Sequence, residues 1–193
     1  MTRYMWDSIV LADIPQDAEM VAVYGNGVYA VPSARVDQRF THVPESARVY
    51  IDVNGTLPKC CVRDWEPGDK GGNLEQWVAA CKVYNSRPTI YCDRSTIAQV
   101  RVETGTQVLG KDYWLWIATL DGTYAAAYPD APTGVVAVQA WGVSQTGIHA
   151  DKSVVFDDYW PLFGPVTPSP PVQVKTITGV TVGWSDGSVT KVS

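Results

Sequence analysis

Short apolar runs recur through the first 160 residues, and the segments between them have helical or turn character. Runs of this length that are rich in Val, Ile, Tyr and Trp are typical of β-strands. Asn-Gly within Gly25-Asn26-Gly27 is a turn signal of the kind that separates such runs. The pattern predicts eight strands, which lie within residues 4–12, 20–31, 47–53, 60–66, 89–92, 113–119, 135–141 and 153–156.

Three of the intervening segments predict helices. Residues 33–42 carry apolar side chains at helical spacing. A second helix follows Asn73, whose side chain can cap it, with Gln76 at the capping-box position. A third is predicted to start with Ser95 as its cap and to end near Gly105.

Strands that alternate with helices or long loops are typical of parallel βα units. Eight such units predict an α/β fold, a small, trimmed (β/α)8 TIM-type barrel, in residues 1–160. This span is shorter than the roughly 250 residues usual for that fold, so several helices must be reduced to turns. In such barrels the chemistry gathers at the C-terminal ends of the strands.

The C-terminal segment differs in composition from the barrel. Residues 161–171 are rich in proline and predict a stiff, extended linker. Residues 172–193 predict a β-hairpin with Ser185-Asp186-Gly187-Ser188 at its tip. Because a lone two-stranded hairpin is marginal in water, it is expected to dock, either on its own barrel or on another protein.

The composition narrows the class of protein. Hydrophobic residues make up 46% of the chain and charged residues 18%, which is typical of a soluble globular protein. The net charge of -5 argues against a nucleic-acid partner. The first residues have no long apolar stretch, so we expect synthesis in the cytoplasm without a signal peptide. No apolar run is long enough for a membrane span, and no membrane partner is expected.

Metal and nucleophile chemistry has little support in the sequence. The four cysteines include no Cys-x-x-Cys pair, and His42 and His149 are the only histidines. We therefore expect no zinc site, no Ser-His-Asp triad and no cofactor, and we expect the cysteines to be buried free thiols. The absence of a Gly-rich phosphate loop disfavours an enzyme of phosphorylated substrates.

Two acidic residues at the end of the fourth predicted strand suggest a different chemistry. Asp64 and Glu66 are two residues apart, so their side chains point to the same face of a strand. Crowded carboxyl groups repel when both are ionised, so the pKa of one tends to rise. A protonated acid beside an ionised carboxylate is the pair that cleaves glycosidic bonds. The alternative is a pair of solvated acids in a polar turn.

Six motifs occur in a fixed order at these strand ends, namely Met5-Trp6-Asp7-Ser8, Asp64-Trp65-Glu66, Ile90-Tyr91, Trp116-Ile117-Ala118, Gln139 and Asp151. In this order, residues 4 to about 160 resemble the lysozyme-type glycoside hydrolase family 25 and the glycoside-hydrolase-like domains of actinobacteria and their phages. The resemblance implies a muramidase that cleaves peptidoglycan, with Glu66 as the general acid and Asp64 as its partner. It implies that Asp7 and Asp151 complete an acidic cluster at one barrel mouth.

Other residues are expected to bind the glycan. Asp52 is a further acid near the mouth and could replace a member of the cluster. Aromatic rings with polar edges suit sugar faces, although the same rings also pack cores. The expected glycan-binding residues are Asp52, Trp65, Tyr91, Trp116, Gln139 and Trp141.

The resemblance leaves two classes of function open. One is a cell-wall glycosidase whose partner is the wall polysaccharide. The other is a catalytically inactive structural protein of a phage virion, a minor tail or head-surface protein, in which the barrel binds glycan or acts as a spacer. In that case the C-terminal hairpin would attach the chain to other virion proteins.

Overall fold

The computed structural model describes residues 3–66, 73–84, 87–122, 133–156, 160–161, 180–183 and 189–192. Eight strands form a closed barrel in chain order. They are β1 Arg3–Asp7, β2 Met20–Tyr24, β3 Arg48–Asp52, β4 Cys61–Asp64, β5 Thr89–Asp93, β6 Trp114–Ala118, β7 Val135–Trp141 and β8 Asp151–Val155.

The barrel is mixed rather than wholly parallel. Each strand from β1 to β7 runs parallel to the next, but β8 is antiparallel to both β7 and β1. The expectation of eight parallel βα units is therefore wrong for the last strand. The reason is the connection through residues 142–150, which is shorter than the dozen or so residues that a parallel crossover requires.

The helices are few and short in the described part of the chain. They are α1 Ser33–Arg39, α2 Leu74–Lys82, α3 Ile97–Glu103 and α4 Val143–Thr146. None of these helices has the length and apolar character needed to cross a membrane.

The helix caps agree only partly with the prediction. Asn73 caps α2 as predicted, because its side chain accepts a hydrogen bond from the Gln76 backbone N–H at 2.9 Å. The predicted Ser95 cap is wrong. Asp93 accepts from the Ser95 N–H instead and caps a single 3-10 turn, and α3 begins only after that turn, at Ile97.

Buried side chains form two clusters. One includes the barrel interior, with Met5, Ala22 and Trp116, and extends to Trp160. The other lies outside the sheet, where α2 and α3 cover β5 and β6. All four cysteines are buried and lie outside disulfide bonds, as predicted.

Trp160 closes the base of the barrel, at the N-terminal ends of the parallel strands. Its indole Nε1 donates to the hydroxyl of Thr89, the first residue of β5, at 2.7 Å. Its backbone carbonyl accepts a hydrogen bond from Arg3, the first residue of β1, at 2.9 Å.

The C-terminal strands β9 Val180–Gly183 and β10 Val189–Val192 pair antiparallel in a separate two-stranded sheet. This pairing agrees with the predicted hairpin. The predicted tip and the predicted linker beyond Pro161 lie outside the described residues.

Candidate active site

The reversed direction of β8 brings two aspartates together at one rim. Asp7 is the last residue of β1 and Asp151 is the first residue of β8, and they lie directly opposite each other in the antiparallel register. In a parallel β8, Asp151 would lie at the other end of the barrel. The predicted meeting of these two acids thus depends on a strand direction that the prediction did not include.

The fourth strand contributes the next acid to the same rim. Asp64 ends β4 and lies opposite Tyr91 of β5 in the parallel register. Val62, two residues earlier, belongs to the interior cluster, so Asp64 also faces the barrel interior. Glu66 follows two residues later and is exposed to solvent. The exposed acid therefore stands just outside a buried one.

Asp7 lies in a poorly compensated environment. Its side chain is 7% exposed, and its Oδ1 atom is buried with no hydrogen-bond partner among the described residues. Burial raises the pKa of Asp7 well above its usual value, and the negative charges of Asp151 and Asp64 raise it further. Asp7 therefore retains its proton more readily than an ordinary aspartate.

Asp151 is better supplied with donors. Half-burial raises its pKa, while hydrogen bonds from the Val143 backbone and the Gln139 side chain lower it. The Gln139 amide nitrogen lies 2.5 Å from Asp151 Oδ2. Because Gln139 is only 1% exposed, it is too deep to touch a glycan, and the expectation that it binds substrate is corrected to a role in positioning Asp151.

Two tyrosines complete the rim. Burial raises the pKa of Tyr91, and so do the charges of Asp7, Glu66 and Asp64. The pKa of Tyr24 is raised by burial and by the same three acids together with Asp151. Charges influence a pKa only at close range, so the four acids and two phenols belong to one site. The sequence prediction included Tyr91 and missed Tyr24.

Asp52 does not belong to this cluster. It is fully buried and lies opposite Arg63 in the sheet, one residue out of phase with the inward-facing Ile51. Its carboxylate accepts five hydrogen bonds, from the side chains of Asn26 and Trp77 and from the backbone N–H groups of Gly55, Thr56 and Leu57. The expected substrate contact is therefore wrong, since Asp52 organises the loop after β3 and holds α2.

Three of the predicted aromatic residues are buried or lie on the outer face of the barrel. Trp65 is 5% exposed and packs in the outer cluster beneath α2. Trp116 is fully buried, and its indole Nε1 donates to Ser153 Oγ inside the barrel at 2.9 Å. Trp141 lies on the outer face, where it neighbours Tyr4 and Lys152. The expectation of a glycan contact is corrected for the buried Trp65 and Trp116, while that for Trp141, the partly buried last residue of β7, stays a prediction.

A cavity of about 310 Å³ opens beside Asp7 and Asp151. Its further lining includes Ile9, Val10, Asp13, Tyr24 and Val143. The loop after β1 is fixed there by Ser8, whose hydroxyl donates to the His149 carbonyl at 2.8 Å and accepts from the Val10 N–H at 3.0 Å. Sequence patterns missed this cavity because loop residues build most of its wall.

In the described part of the chain, no group of three or more His, Cys, Asp or Glu side chains is arranged to hold a metal ion. The site instead combines an exposed carboxyl group with buried ones that differ in how readily they release a proton. Such a set can donate a proton to a leaving oxygen while a neighbouring carboxylate stabilises positive charge.

Comparison with protein-family models, with curated proteins and with solved structures found no match in any of the three.

Proposed function

We propose that the chain is a glycoside hydrolase that cleaves bacterial cell-wall glycan in the manner of a muramidase, on a trimmed (β/α)8-type barrel. The observation that carries the proposal is that the strand ends bring Asp7, Asp64 and Asp151 to one rim, with Glu66 two residues beyond Asp64 and an open cavity beside Asp7 and Asp151. Seven parallel strands with their C-terminal ends at that rim support the barrel type.

In this mechanism Glu66 donates a proton to the glycosidic oxygen, because its exposed carboxyl group is the one that a bound polymer can reach. Asp64 and Asp151 stabilise, as carboxylates, the positive charge that develops on the sugar ring as the glycosidic C–O bond breaks; water then adds to the anomeric carbon and passes its proton to a carboxylate of the cluster. Asp7 helps to bind the sugar, and a positive charge beside it would offset the burial and the acidic neighbours that raise its pKa. Tyr91 and Tyr24 offer phenolic hydroxyls to the bound sugar.

The direct test is the release of reducing ends from purified actinobacterial cell walls. We expect release by the wild-type chain and a loss of about a hundredfold or more in Glu66→Gln, the usual contribution of a general acid. Glu103→Gln is the matched control, because Glu103 is an exposed residue at the end of α3. No release by the wild type, or equal release by Glu66→Gln, would contradict the proposal.

A second candidate is a catalytically inactive structural protein of a phage virion, made in the cytoplasm and assembled into the particle. The observation that favours it is the separate β9–β10 sheet, because two strands alone are marginally stable and need a surface to dock on. Deletion of residues 165–193 should then abolish incorporation into particles. Unchanged incorporation would argue against this candidate, and wall cleavage by assembled particles would make both roles compatible.

A further inference from the structure

The cavity beside Asp7 has an unusual balance of charge. Three carboxyl groups line it, those of Asp7, Asp13 and Asp151. Among the described residues of its wall there is no lysine or arginine, and His149 is the one basic side chain. A pocket with this lining favours a ligand that brings positive charge, because a neutral hydroxyl donates a hydrogen bond without offsetting the repulsion among carboxylates.

Asp7 provides a second, independent observation. It is more than nine-tenths buried, it lines the cavity, and its Oδ1 atom has no hydrogen-bond partner among the described residues. Buried carboxylate oxygens are normally satisfied by donors, as those of Asp52 are in this same chain. The Oδ1 atom of Asp7 is therefore available to a hydrogen-bond donor of a ligand in the cavity.

Three aliphatic side chains also line the cavity. Ile9 and Val10 are each 48% exposed and Val143 is 45% exposed, so their aliphatic side chains surround a cavity rather than a core. Such surfaces suit the carbon skeleton of a sugar ring. The cavity volume of about 310 Å³ lies at the small end of the range for ligand sites, which suits a single sugar residue.

We propose that this cavity binds an amino sugar whose nitrogen is free, a glucosamine unit without its acetyl group, with the ammonium directed at Asp7, Asp13 and Asp151. The inference rests on the proposed function, because it assumes that the rim binds a glycan. It specifies the substrate as partly de-N-acetylated wall glycan. A compact ammonium group with three N–H donors can serve several carboxylates at once.

The test compares two ligands by calorimetry, the β-1,4-linked glucosamine tetramer and its fully N-acetylated counterpart. It uses the full-length chain carrying Glu66→Gln to prevent turnover, at a pH at which the free ligand's amines are protonated. We expect the glucosamine tetramer to bind about tenfold tighter, the usual worth of a charge-assisted hydrogen bond. Asp13→Asn should reduce that preference.

Asp17→Asn is the matched control, because Asp17 is exposed on the same loop and does not line the cavity. An equal loss of preference in both variants would mean general attraction to an acidic protein and would overturn the inference. Tighter or equal binding of the N-acetylated tetramer, or no detectable binding of the glucosamine tetramer, would also overturn it.

The outcomes separate this inference from the proposed function. If the chain binds the glucosamine tetramer more tightly but releases no reducing ends from walls, the amine-binding site is supported and the hydrolase proposal is contradicted. If the chain cleaves walls but binds the N-acetylated tetramer more tightly, the hydrolase proposal is supported and the amine-binding site is contradicted.

Discussion

Asp7 and Asp52 each end a strand of the same barrel, and their surroundings are opposite. Asp52 is fully buried and accepts five hydrogen bonds from the loop after β3, from Asn26 and from α2. Asp7 is almost as deeply buried, and its Oδ1 receives none from the described residues. Burial alone therefore does not identify a functional acid. The supply of donors separates a carboxylate that holds the fold from one that is left for a ligand.

The largest expected change in stability follows substitution of Asp52, the carboxylate that accepts five hydrogen bonds. Asp52→Ala removes the acceptor for Trp77 Nε1 and three backbone N–H groups, so we expect a loss of about 3 kcal/mol or more in the free energy of unfolding. Urea unfolding measures it, with the exposed Asp17→Ala as the control. A loss below about 1 kcal/mol would show that the two acids are less different than their contacts suggest.

Substitution of Asp7, whose Oδ1 atom lacks a donor, is expected to increase the free energy of unfolding. Asp7→Asn removes a charge that burial, Asp151 and Asp64 all disfavour, so the free energy of unfolding at neutral pH should rise by about 1 kcal/mol. Cleavage of walls should fall in the same variant. Urea unfolding of Asp7→Asn and Asp52→Asn under the same conditions compares the two acids. Destabilisation of both variants would contradict the expected difference in sign.

The same contrast predicts a dependence on pH. The pKa of Asp7 is higher in the folded chain than its ordinary value of 3.8, so the folded state binds more protons between these two values. Stability should therefore fall as pH rises through this window and recover on acidification from neutral pH. The pKa of Asp151 is shifted in the same direction, so Asp7→Asn should lose only part of the slope. Thermal unfolding across a pH series measures it, and an identical slope in wild type and variant would contradict the assignment to Asp7.

The smallest effect concerns the amide behind the rim. Gln139→Leu removes a hydrogen bond that lowers the pKa of Asp151, so that pKa should rise. We expect about a threefold loss of wall cleavage at neutral pH, recovered in part at higher pH, because one hydrogen bond contributes modestly. Gln38→Leu, at an exposed position on α1, is the control. A loss without a shift of the pH profile would indicate a structural role only.

Much of the barrel could be predicted from apolar runs, since all eight expected strands are present. The direction of β8 could not be read from its composition, because a strand has the same pattern of side chains in either direction. The length of the connection through residues 142–150 carried that information instead. Because the length of this connection was not used, the sequence prediction placed Asp151 at the correct rim but gave β8 the wrong direction.

Alternation of side chains along the strands accounts for the positions of several residues at the rim. The rule assigns Asp64 and Glu66 to one face and Trp65 to the opposite face, and Trp65 is indeed buried under α2. Asp52 is likewise one residue out of phase with the inward-facing Ile51. Tyr24 is in phase with the inward-facing Ala22, so alternation offered a signal for it. The walls contributed by loops, at Ile9, Val10 and Val143, had no such periodic signal.

The position of Trp160 determines the end of the barrel at which the chain leaves toward its C-terminal segment. Since β8 descends from the acidic rim, the backbone departs beside Thr89 and Arg3, at the end of the barrel remote from the carboxylates. A partner that binds the chain after Pro161 would therefore attach at the end of the barrel that contains Thr89 and Arg3. The rim that carries Asp7 and Asp151 lies at the opposite end of the barrel from such an attachment.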